Sequence, residues 1–296
     1  AHLDHSGYLP RLVSAGFRGP AYCTAATQAL LGVLLPDSGH LQEEEARYAT
    51  RRGYSKHRSP HPLYTEDEAR ASLAQLRPVA WHRAVTVAPG IEAVWTPAGH
   101  ILGAASLVLR ADGISLGFSG DLGRANDALM RPPTPLPAVD ALLVESTYGD
   151  RVHAPVDAEQ ALADAVRTVA GRGGVLMIPA FAVGRTQLLM HYLARLRARG
   201  AIPRLPIFLN SPMATNVSGL YHTYREEHRL SAAECDAMCE GVEYVNSVDD
   251  SRALNERRGP MVILSASGMA TGGRVLHHLR AFAPDERSMI LLTGYQ

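Results

Sequence analysis

Three side chains that bind metals well stand within the first five residues of the chain. These are His2, Asp4 and His5, which supply two imidazoles and one carboxylate. Imidazole nitrogens and carboxylate oxygens together suit Zn²⁺, Mn²⁺ or iron. One His-x-Asp-His run is weak evidence when it stands alone, so a metal site is indicated only if further ligands lie elsewhere in the chain.

Two later loops supply such ligands, and they share one pattern. His100 lies in the run GHILG and Asp121 in the run SGDLG, each directly after a β-like segment. Ligands at strand ends, with glycines that permit close approach of the backbone, are a means by which β-rich scaffolds build metal sites. Taken singly, His100 has an alternative explanation as a hydrogen-bonded core histidine, and Asp121 as a turn residue. Taken with the opening run, the two loops favour one shared metal site.

The segments that must position these ligands are predicted to be β-rich. Short apolar runs separated by Gly and Asp turns fill residues 85–118, and Asp112-Gly113 is typical of a hairpin turn between two of them. Residues 141–144 are predicted to form a further buried strand. Upstream, the charged residues 39–58 predict a solvated helix that runs into a basic loop, and Thr65 begins a capping box for the next helix.

Strand-like and helix-like runs alternate after Gly149. Helices are predicted over residues 157–170, 186–198 and 273–282, and strands over residues 175–178, 206–209, 261–264 and 289–292. Such alternation predicts an open α/β sheet that is mostly parallel. A turn-rich run at residues 149–156 is predicted to separate two domains, one over residues 1–150 and one over residues 151–296.

The composition is that of an ordinary globular protein with room for a large core. The chain has 296 residues, of which 46% are hydrophobic and 20% charged. Its formal net charge of zero gives no global basic field for nucleic acid, although a local basic groove stays open. No apolar stretch reaches the roughly 18 residues of a membrane-spanning helix. Because Cys23, Cys235 and Cys239 form no CxxC pair, we interpret them as reduced thiols and predict a cytoplasmic protein without a membrane partner.

The order of these motifs resembles the metallo-β-lactamase superfamily, whose signature His-x-His-x-Asp-His would place Ala1 between its first two histidines. A narrower resemblance is carried by later motifs. They are VESTYG at residues 144–149, FAVGRTQ at 181–187, SPMA at 211–214, SASGM at 265–269, GGRVLHHL at 272–279 and GYQ at 294–296. This series is similar to the β-CASP branch, the RNA-processing nucleases related to the endonuclease subunit of cleavage and polyadenylation specificity factor.

The resemblance implies a fold of two parts and a dinuclear metal site. Residues 1–150 would form an incomplete αββα metallo-β-lactamase sandwich, and residues 151–296 an inserted α/β β-CASP domain with a mostly parallel sheet. Two Zn²⁺ ions are implied, with Mn²⁺ as the alternative metal. The resemblance assigns His2 and His100 to one ion and Asp4 and His5 to the second. Asp121 would bridge the two ions, and Glu145 would partner a catalytic histidine. The implied catalytic residues are therefore Asp4, Asp121 and Glu145.

The activity that the resemblance implies is metal-dependent hydrolysis of RNA phosphodiester bonds, in RNA processing or decay. Two metals about 4 Å apart would activate a hydroxide and neutralise charge on the attacked phosphodiester. The first histidine of the signature would precede Ala1, and two further histidines would follow Gln296. We therefore expect the 296-residue chain alone to show no appreciable nuclease activity. Endonuclease and exonuclease modes are both open.

Two segments of the second half are predicted to contact RNA phosphates. Arg185 follows Gly184 at a predicted helix start, where backbone N–H groups and a guanidinium face an anion. The Ser- and Gly-rich turn at residues 265–273 repeats this arrangement, and the lack of GxGxxG and GxxxxGK(S/T) motifs disfavours dinucleotides and ATP. The predicted RNA- or phosphate-binding residues are Arg185, Ser265, Ser267, Gly268, Gly273 and Arg274. His278 is interpreted as a structural histidine that hydrogen-bonds between domains.

Three other functions stay open. A small-molecule hydrolase such as a thioesterase or lactamase shares the fold, but a small substrate does not need so large a second domain. A non-catalytic scaffold protein is disfavoured because every ligand position within the chain is filled. A DNA-directed nuclease is an alternative that the residues do not exclude. RNA is the predicted partner, and the choice between monomer and homodimer is open.

Overall fold

The computed structural model describes residues 1–152 and 156–294. His153, in the turn-rich run predicted at residues 149–156, and the last two residues of the GYQ motif, Tyr295 and Gln296, lie outside this described part. Within it, no helix has both the length and the apolar character that crossing a membrane requires. The chain divides into two compact units, Ala1–Thr147 and Tyr148–Gln296.

One long helix dominates the start of the first unit. Helix α1 spans Leu3–Ser6 and α2 spans Leu9–Ser14, strand β1 spans Ala21–Thr24, and helix α3 spans Ala25–Arg52. The Thr24 hydroxyl caps α3 by accepting from the Thr27 N–H, which satisfies one of the unpaired donors at a helix start. The helix ends at Gly53, which has a φ of 66°.

The predicted charged helix over residues 39–58 proves to be the second half of α3. The helix continues through Pro36, although a proline in a helix interior removes one backbone hydrogen bond. Leu31 and Leu35 lie one turn apart and are both nearly fully buried. Burial of this apolar face against the rest of the unit therefore keeps the helix continuous across the proline.

Helix α4 (Glu66–Ser72) begins with the predicted capping box. The Thr65 side chain accepts from the Glu68 N–H, and the Glu68 carboxylate accepts from the Thr65 N–H. The chain then enters strand β2 (Leu76–Val79), which pairs in parallel with β1. A core cluster joins α3, α4 and β2, and its buried members are Leu31, Leu35, Tyr64, Ala69 and Leu76.

A five-stranded sheet forms most of the remaining first unit. In spatial order its strands are β3 (Ala84–Ala88), β4 (Ile91–Pro97), β5 (Ala105–Ala111), β6 (Ile114–Phe118) and β7 (Ala141–Leu143). The first four pair antiparallel, and β7 is parallel to β6. The predicted hairpin turn is confirmed, because Asp112 and Gly113 both have positive φ, 50° and 79°, as a type I′ turn requires.

The predicted burial of residues 141–144 is wrong. Most of this run does form strand β7, but the side chains of Leu142 and Leu143 are 52% and 57% exposed. In the described sheet β7 is an edge strand that pairs with β6 alone. A short apolar run indicates a strand without showing what covers its two faces, so the run could not distinguish an edge strand from a central one.

The second unit alternates strands and helices as predicted. Its strands are β8 (Val175–Pro179), β9 (Ile207–Asn210), β10 (Glu243–Tyr244), β11 (Met261–Ser265) and β12 (Met289–Ile290). Its helices are α5 (Ala158–Arg172), α6 (Arg185–Ala198), α7 (Pro212–Thr223), α8 (Ala232–Glu240), α9 (Val248–Glu256) and α10 (Val275–Phe282). Each pairing in the order β10-β9-β11-β8-β12 is parallel, which confirms the predicted parallel α/β sheet.

The centre of this sheet is fully covered. Every residue of β8, β9 and β11 is buried, as expected of parallel strands with helices on both faces. Their carboxyl ends meet at one edge of the sheet, because the strands are parallel. The Ser- and Gly-rich turn after β11 therefore lies at the edge where open α/β sheets bind ligands.

Candidate metal centre

Asp121 lies at the centre of the candidate metal site in the first unit. Its carboxylate Oδ2 lies 2.5 Å from Nε2 of His2 and 3.8 Å from Nε2 of His100. Its Oδ1 lies 3.1 Å from Nε2 of His5. Ligand atoms of His2, His100 and Asp121 all lie within 4.8 Å of one another. The structure therefore brings four of the five predicted ligands together.

The two oxygens of Asp121 differ in the histidines they face. Oδ2 is nearest to His2 and also faces His100, whereas Oδ1 is nearest to His5. The His5 ring also reaches Oδ2, at 3.2 Å. A carboxylate that directs its oxygens toward two ligand groups suits a bridging position, which is the role predicted for Asp121.

Asp4 is the predicted ligand that the structure leaves outside this group. Its side chain is 86% exposed, and its Oδ2 lies 3.7 Å from Nδ1 of His2. The other ring nitrogen of His2 faces Asp121. A carboxylate beside the far nitrogen of a metal-binding histidine commonly orients the ring and sets its tautomer. The geometry favours this positioning role, and binding of a second metal by Asp4 stays a prediction.

Close backbone packing fixes the two ligand loops to each other. Gly123, two residues after Asp121, donates its N–H to the Ala98 carbonyl at 2.8 Å. A Cβ on Gly123 would overlap the carbonyl oxygen of Gly99, the residue before His100. The predicted use of glycine for close backbone approach is therefore confirmed, and it keeps the loops of His100 and Asp121 at a fixed separation.

The His100 loop is also fixed to the start of α3. The buried hydroxyls of Thr24 and Thr27 both lie 2.9 Å from the Gly103 carbonyl oxygen. Gly103 has a φ of 74°, and a Cβ there would collide with the Thr27 backbone nitrogen. Sequence reasoning missed both threonines as supports of the site. The available signal was a threonine at a helix start, which marks a cap without naming its second partner.

Glu145 supports the Asp121 loop from the neighbouring strand end. Its Oε1 accepts a hydrogen bond from the Leu122 N–H at 2.8 Å, and its own N–H donates to the Ser119 hydroxyl at 2.9 Å. Its Oε2 accepts from the Thr147 N–H at 3.3 Å. Glu145 is therefore bonded on both sides of Asp121 within the same loop. Its pairing with a catalytic histidine stays a prediction.

The electrostatic environment favours the metal-binding forms of the central residues. Burial lowers the pKa of His100, although the nearby Asp121 carboxylate acts in the opposite direction. Partial burial acts to raise the pKa of Asp121, but the hydrogen bond from His5 and the charge of His2 outweigh burial and lower that pKa. Neutral imidazoles and ionised carboxylates are the forms that ligate metals.

The donor set fits zinc or manganese. The ligands line a cavity of about 590 Å³ whose other walls include Tyr22, Leu31 and Trp95. Cys23 also lines this cavity, but burial raises the pKa of its thiol to about 11. The thiol is thus protonated at neutral pH and a poor ligand. Imidazole nitrogen and carboxylate oxygen remain as donors, a set that suits Zn²⁺ or Mn²⁺ better than Mg²⁺ or Ca²⁺.

Four of the predicted phosphate-binding residues lie at turns of the second unit. Arg185 begins α6, after β8, whereas Ser267 and Gly268 follow β11 and Gly273 precedes α10 with a φ of 75°. Because β8 and β11 are paired neighbours, both turns lie at the same edge of the sheet. This placement suits anion binding at a strand-to-helix turn, and the binding itself stays a prediction.

Ser265 and Arg274, also predicted to bind phosphate, are engaged by protein atoms. The buried Ser265 hydroxyl donates to the Asn210 carbonyl at 3.2 Å. The Arg274 guanidinium donates to the Asn210 side-chain oxygen at 2.8 Å and to the carbonyls of Val245 and Asn246 at 3.1 and 2.7 Å. These bonds give both residues a structural role, and phosphate binding by them stays a prediction.

His278 is buried in the same polar network. Its Nε2 lies 2.6 Å from the Asn210 side-chain nitrogen, and its Nδ1 lies 2.6 Å from the Asn255 side-chain oxygen. With these amide orientations the ring donates from Nδ1 and accepts at Nε2, so it is neutral. Both partners belong to the second unit, and the predicted interdomain hydrogen bond is wrong. Sequence reasoning missed both asparagines, because an isolated Asn carries no signal of burial.

The sequence is similar to a known domain family and to several known proteins. Residues 186–296 match the Beta-Casp domain family. The chain is 36% identical over 305 residues to Ribonuclease TTHA0252 of Thermus thermophilus, a match that covers 100% of this chain and 66% of that protein. It is 31% identical over 308 residues to Transcription termination factor FttA of Methanocaldococcus jannaschii, covering 100% and 46%. It is 29% identical over 315 residues to Endoribonuclease YSH1 of Gibberella zeae, covering 99% and 36%.

The chain belongs to the β-CASP family. The domain match and the parallel α/β second unit confirm the resemblance that the later motifs carry. An antiparallel sheet in the first unit agrees with the metallo-β-lactamase part of that resemblance. This β-CASP chain spans 66% of the Thermus relative and 46% of the archaeal one.

Proposed function

We propose that this β-CASP chain provides the metal centre of a ribonuclease that hydrolyses RNA phosphodiester bonds. The single observation that carries the proposal is the convergence of His2, His100 and Asp121, whose ligand atoms lie within 4.8 Å of one another. The names of two relatives, Ribonuclease TTHA0252 and Endoribonuclease YSH1, support RNA as the substrate.

The centre has ligands for two divalent cations, zinc or manganese. His2, His100 and Oδ2 of Asp121 would hold one ion, and His5 with Oδ1 of Asp121 would hold the other. Such ions, when bound, lower the pKa of water and neutralise charge on a phosphodiester. Asp4 would orient His2 from the far side of its ring, as their 3.7 Å contact supports.

The protein's own contribution is to hold the ligands in place before RNA arrives. The contact between Gly123 and Gly99 fixes the two ligand loops, and Glu145 fixes the loop of Asp121 from the next strand. Preorganised ligands require no rearrangement during the reaction, and this preorganisation is the main source of rate enhancement in such sites. Burial favours the neutral form of His100, so this side chain need not release a proton when a cation binds.

A small-molecule hydrolase is the second candidate, and the cavity favours it. Its volume of about 590 Å³ and its partly apolar walls lie within the range of small-molecule sites. A thioester or lactam substrate would then replace RNA at the same metal centre. The two candidates share the ligands and differ in substrate, so one set of variants tests both.

The test separates metal binding from cleavage. Metal content is measured on the 296-residue chain after dialysis against Zn²⁺ or Mn²⁺. We expect Asp121→Asn to lose bound metal, because an amide is a much weaker ligand than a carboxylate. Asp112→Asn is the matched control, since Asp112 is an exposed turn residue of the first unit. Absence of metal from the wild-type chain would contradict the proposal and favour a non-catalytic scaffold.

Cleavage is measured on the complete gene product with end-labelled RNA, DNA of the same sequence and a thioester. Metal-dependent RNA cleavage that Asp121→Asn abolishes and Asp112→Asn retains is the expected result. Cleavage of the thioester without cleavage of RNA would favour the second candidate. Cleavage of DNA in preference to RNA would identify the protein as a DNA-directed nuclease.

A further inference from the structure

The end of α3 and the loop after it carry a concentration of positive charge that the metal centre does not use. Residues 46–65 include four arginines, one lysine and three tyrosines, with no aspartate or glutamate. The net charge of the whole chain is zero, so this segment is strongly basic only locally. Lys56 within it is the only lysine of the sequence.

We define the basic–aromatic patch as Tyr48, Arg52, Tyr54, Lys56 and Arg58, all of which are exposed. The tyrosines are 44% and 55% exposed. Large aromatic side chains are usually buried or placed at interfaces, because each has substantial apolar area. Two of them beside exposed cations, on one surface, require an explanation other than packing.

The loop of the patch is fixed to α3 at both ends. At its start, the Gly53 N–H donates to the Ala49 carbonyl at 2.9 Å. At its end, the Leu63 N–H donates to the Gln42 side chain at 3.0 Å. Residues 54–62 therefore leave the end of α3 and return to its side at Gln42, and Lys56 and Arg58 lie three and five residues after Gly53 in this loop.

The two tyrosines are held in place by neighbouring side chains while about half of each residue stays exposed. Their ring centres lie 6.0 Å apart with an angle of 55° between the rings. The Arg52 guanidinium carbon lies 5.6 Å from the centre of the Tyr48 ring. The Tyr54 hydroxyl donates to the Glu45 carboxylate. Restrained rings lose less conformational freedom when a ligand stacks on them, which favours binding.

We propose that the basic–aromatic patch binds single-stranded RNA, with bases stacked on Tyr48 and Tyr54 and phosphates paired with Arg52, Lys56 and Arg58. This inference rests on the proposed ribonuclease function for its choice of nucleic acid. Sequence-tolerant binding of single strands combines cations that follow the backbone with aromatic rings on which bases stack. The patch presents both components side by side.

The simplest alternative is that the cations only stabilise the end of α3. Basic residues in a last helical turn interact favourably with the helix dipole, which accounts for Arg52. That effect falls off beyond the last turn, so it does not account for Lys56 or Arg58 in the loop. It also gives no reason for two exposed tyrosines.

The patch and the metal centre are associated with opposite ends of α3. Thr24 and Thr27 at the helix start contact Gly103 in the His100 loop. At about 1.5 Å per residue, about 40 Å of helix separates Ala25 from Arg52. A strand that rises about 3.4 Å per nucleotide needs about 12 nucleotides for that distance. The patch would therefore add to the binding of RNAs longer than this.

The test is equilibrium binding of a fluorescein-labelled 20-nucleotide oligo(U) to the 296-residue chain, with EDTA present so that the RNA stays intact. We expect the double variant Tyr48→Leu/Tyr54→Leu to bind at least about five-fold more weakly, the loss that corresponds to one weakly stacked base. We expect the triple variant Arg52→Ala/Lys56→Ala/Arg58→Ala to reduce the salt dependence, by about 0.7 in the log–log slope for each lost phosphate contact.

The chain offers two matched controls. Tyr54→Phe removes the hydroxyl that donates to Glu45 but keeps the ring on which a base would stack, so it should lose less affinity than Tyr54→Leu. Arg172→Ala removes an exposed arginine at the end of α5, directly before Gly173 with a φ of 69°. Arg52 has the same setting before Gly53, with a φ of 66°. A general effect of helix-terminal charge would weaken binding equally in Arg172→Ala and Arg52→Ala, and would overturn the inference.

The outcomes distinguish this inference from the proposed function. Undiminished oligo(U) binding by the double tyrosine variant overturns the patch and leaves the ribonuclease proposal standing. No oligo(U) binding by the wild-type chain at low salt also overturns the patch, and the ribonuclease proposal is then decided by the cleavage assay. Loss of binding to phosphatidylserine vesicles in the triple variant, with RNA binding intact, would assign the patch to an anionic membrane surface and overturn its role in RNA binding.

Lys56 provides a second readout that needs no variant. Because it is the only lysine, its acylation by a limiting amount of N-hydroxysuccinimide ester is read from one peptide by mass spectrometry. We expect oligo(U) to slow this acylation several-fold, and an abasic phosphodiester of the same length to slow it less, since that polymer has charge without bases to stack. Equal acylation with and without oligo(U) would overturn the inference.

Discussion

A hydrogen bond between Glu145 and Leu122 holds the loop of Asp121, the central candidate ligand in this β-CASP chain. The Leu122 N–H donates to Oε1 of Glu145 at 2.8 Å, and Leu122 directly follows Asp121. Asp121 lies after β6 and Glu145 after β7, and these two strands are parallel neighbours. Their carboxyl ends therefore meet, so that a residue beyond one strand supports a candidate ligand beyond the other.

Replacing Glu145 is expected to weaken metal binding without removing a ligand. Glu145→Ala deletes the acceptor of the Leu122 N–H, and we expect metal affinity to fall about 10–100-fold, as for other residues that support a ligand. Glu145→Gln keeps an oxygen acceptor and should lose less. Competition with a chromophoric chelator measures both. Glu92→Ala, which removes an exposed glutamate of β4, is the control, and wild-type affinity in Glu145→Ala would contradict the positioning role.

The role of Asp4 can be decided by the number of ions bound. Its carboxylate lies 3.7 Å from Nδ1 of His2 and is largely exposed, so we expect Asp4→Asn to lower affinity and leave the metal-to-protein ratio unchanged. His5→Ala, by contrast, is expected to lower that ratio, because His5 contacts Asp121 directly. Metal content after gel filtration measures the ratio. A lower ratio in Asp4→Asn would restore Asp4 as a ligand.

Local signals in the sequence predicted the elements of the fold well, because they act between near neighbours. The capping box of Thr65 and Glu68, the hairpin turn at Asp112 and the helix start at Asp157 each involve residues within three positions of one another. Each is determined by backbone donors that a nearby side chain or turn must satisfy. These signals are complete in the sequence, so their structures could be predicted from it.

Relationships between distant segments could not be predicted in this way. The Thr24 hydroxyl meets the Gly103 carbonyl 79 residues later, and Asn210 meets His278 across 68 residues. The residues next to these pairs in the sequence carry no pattern that indicates either contact. Among the predicted metal ligands, His100 and Asp121 have flanking glycines that indicate a ligand loop, whereas nothing in the opening run shows which way the Asp4 carboxylate points.

Gly123 is expected to be intolerant of any side chain. A Cβ there would overlap the carbonyl oxygen of Gly99, and backbone cannot move aside as a flexible side chain can. We expect Gly123→Ala to lower the free energy of unfolding by at least about 1–3 kcal/mol, the usual cost of overpacking, and to weaken metal binding. Gly171→Ala is the control, because Gly171 lies in α5 with nothing within 4 Å of an added Cβ. Urea denaturation compares the two, and wild-type stability in Gly123→Ala would contradict the model of packed loops.

His278 is expected to make the second unit less stable in acid. Burial lowers its pKa to about 4, whereas an unfolded chain has a histidine pKa near 6.5. Well above pH 6.5 both states are neutral at this residue, and it contributes no pH dependence there. As the pH falls from 6.5 toward 4, His278 becomes protonated in the unfolded state but stays mostly neutral in the folded state. The free energy of unfolding therefore falls, by about 2 kcal/mol at pH 5.

A variant of the adjacent residue His277 is the control for the acid sensitivity that His278 is expected to cause. His278→Gln cannot take up the proton, so its stability should fall less between pH 7 and pH 5 than that of the wild-type chain, even though it starts lower because the bonds to Asn210 and Asn255 are disturbed. His277→Gln alters an exposed histidine on the same helix and should keep most of the wild-type pH dependence, because burial is the largest cause of the low pKa of His278. Urea denaturation at the two pH values measures the slopes. An unchanged slope in His278→Gln would show that other groups cause the acid sensitivity.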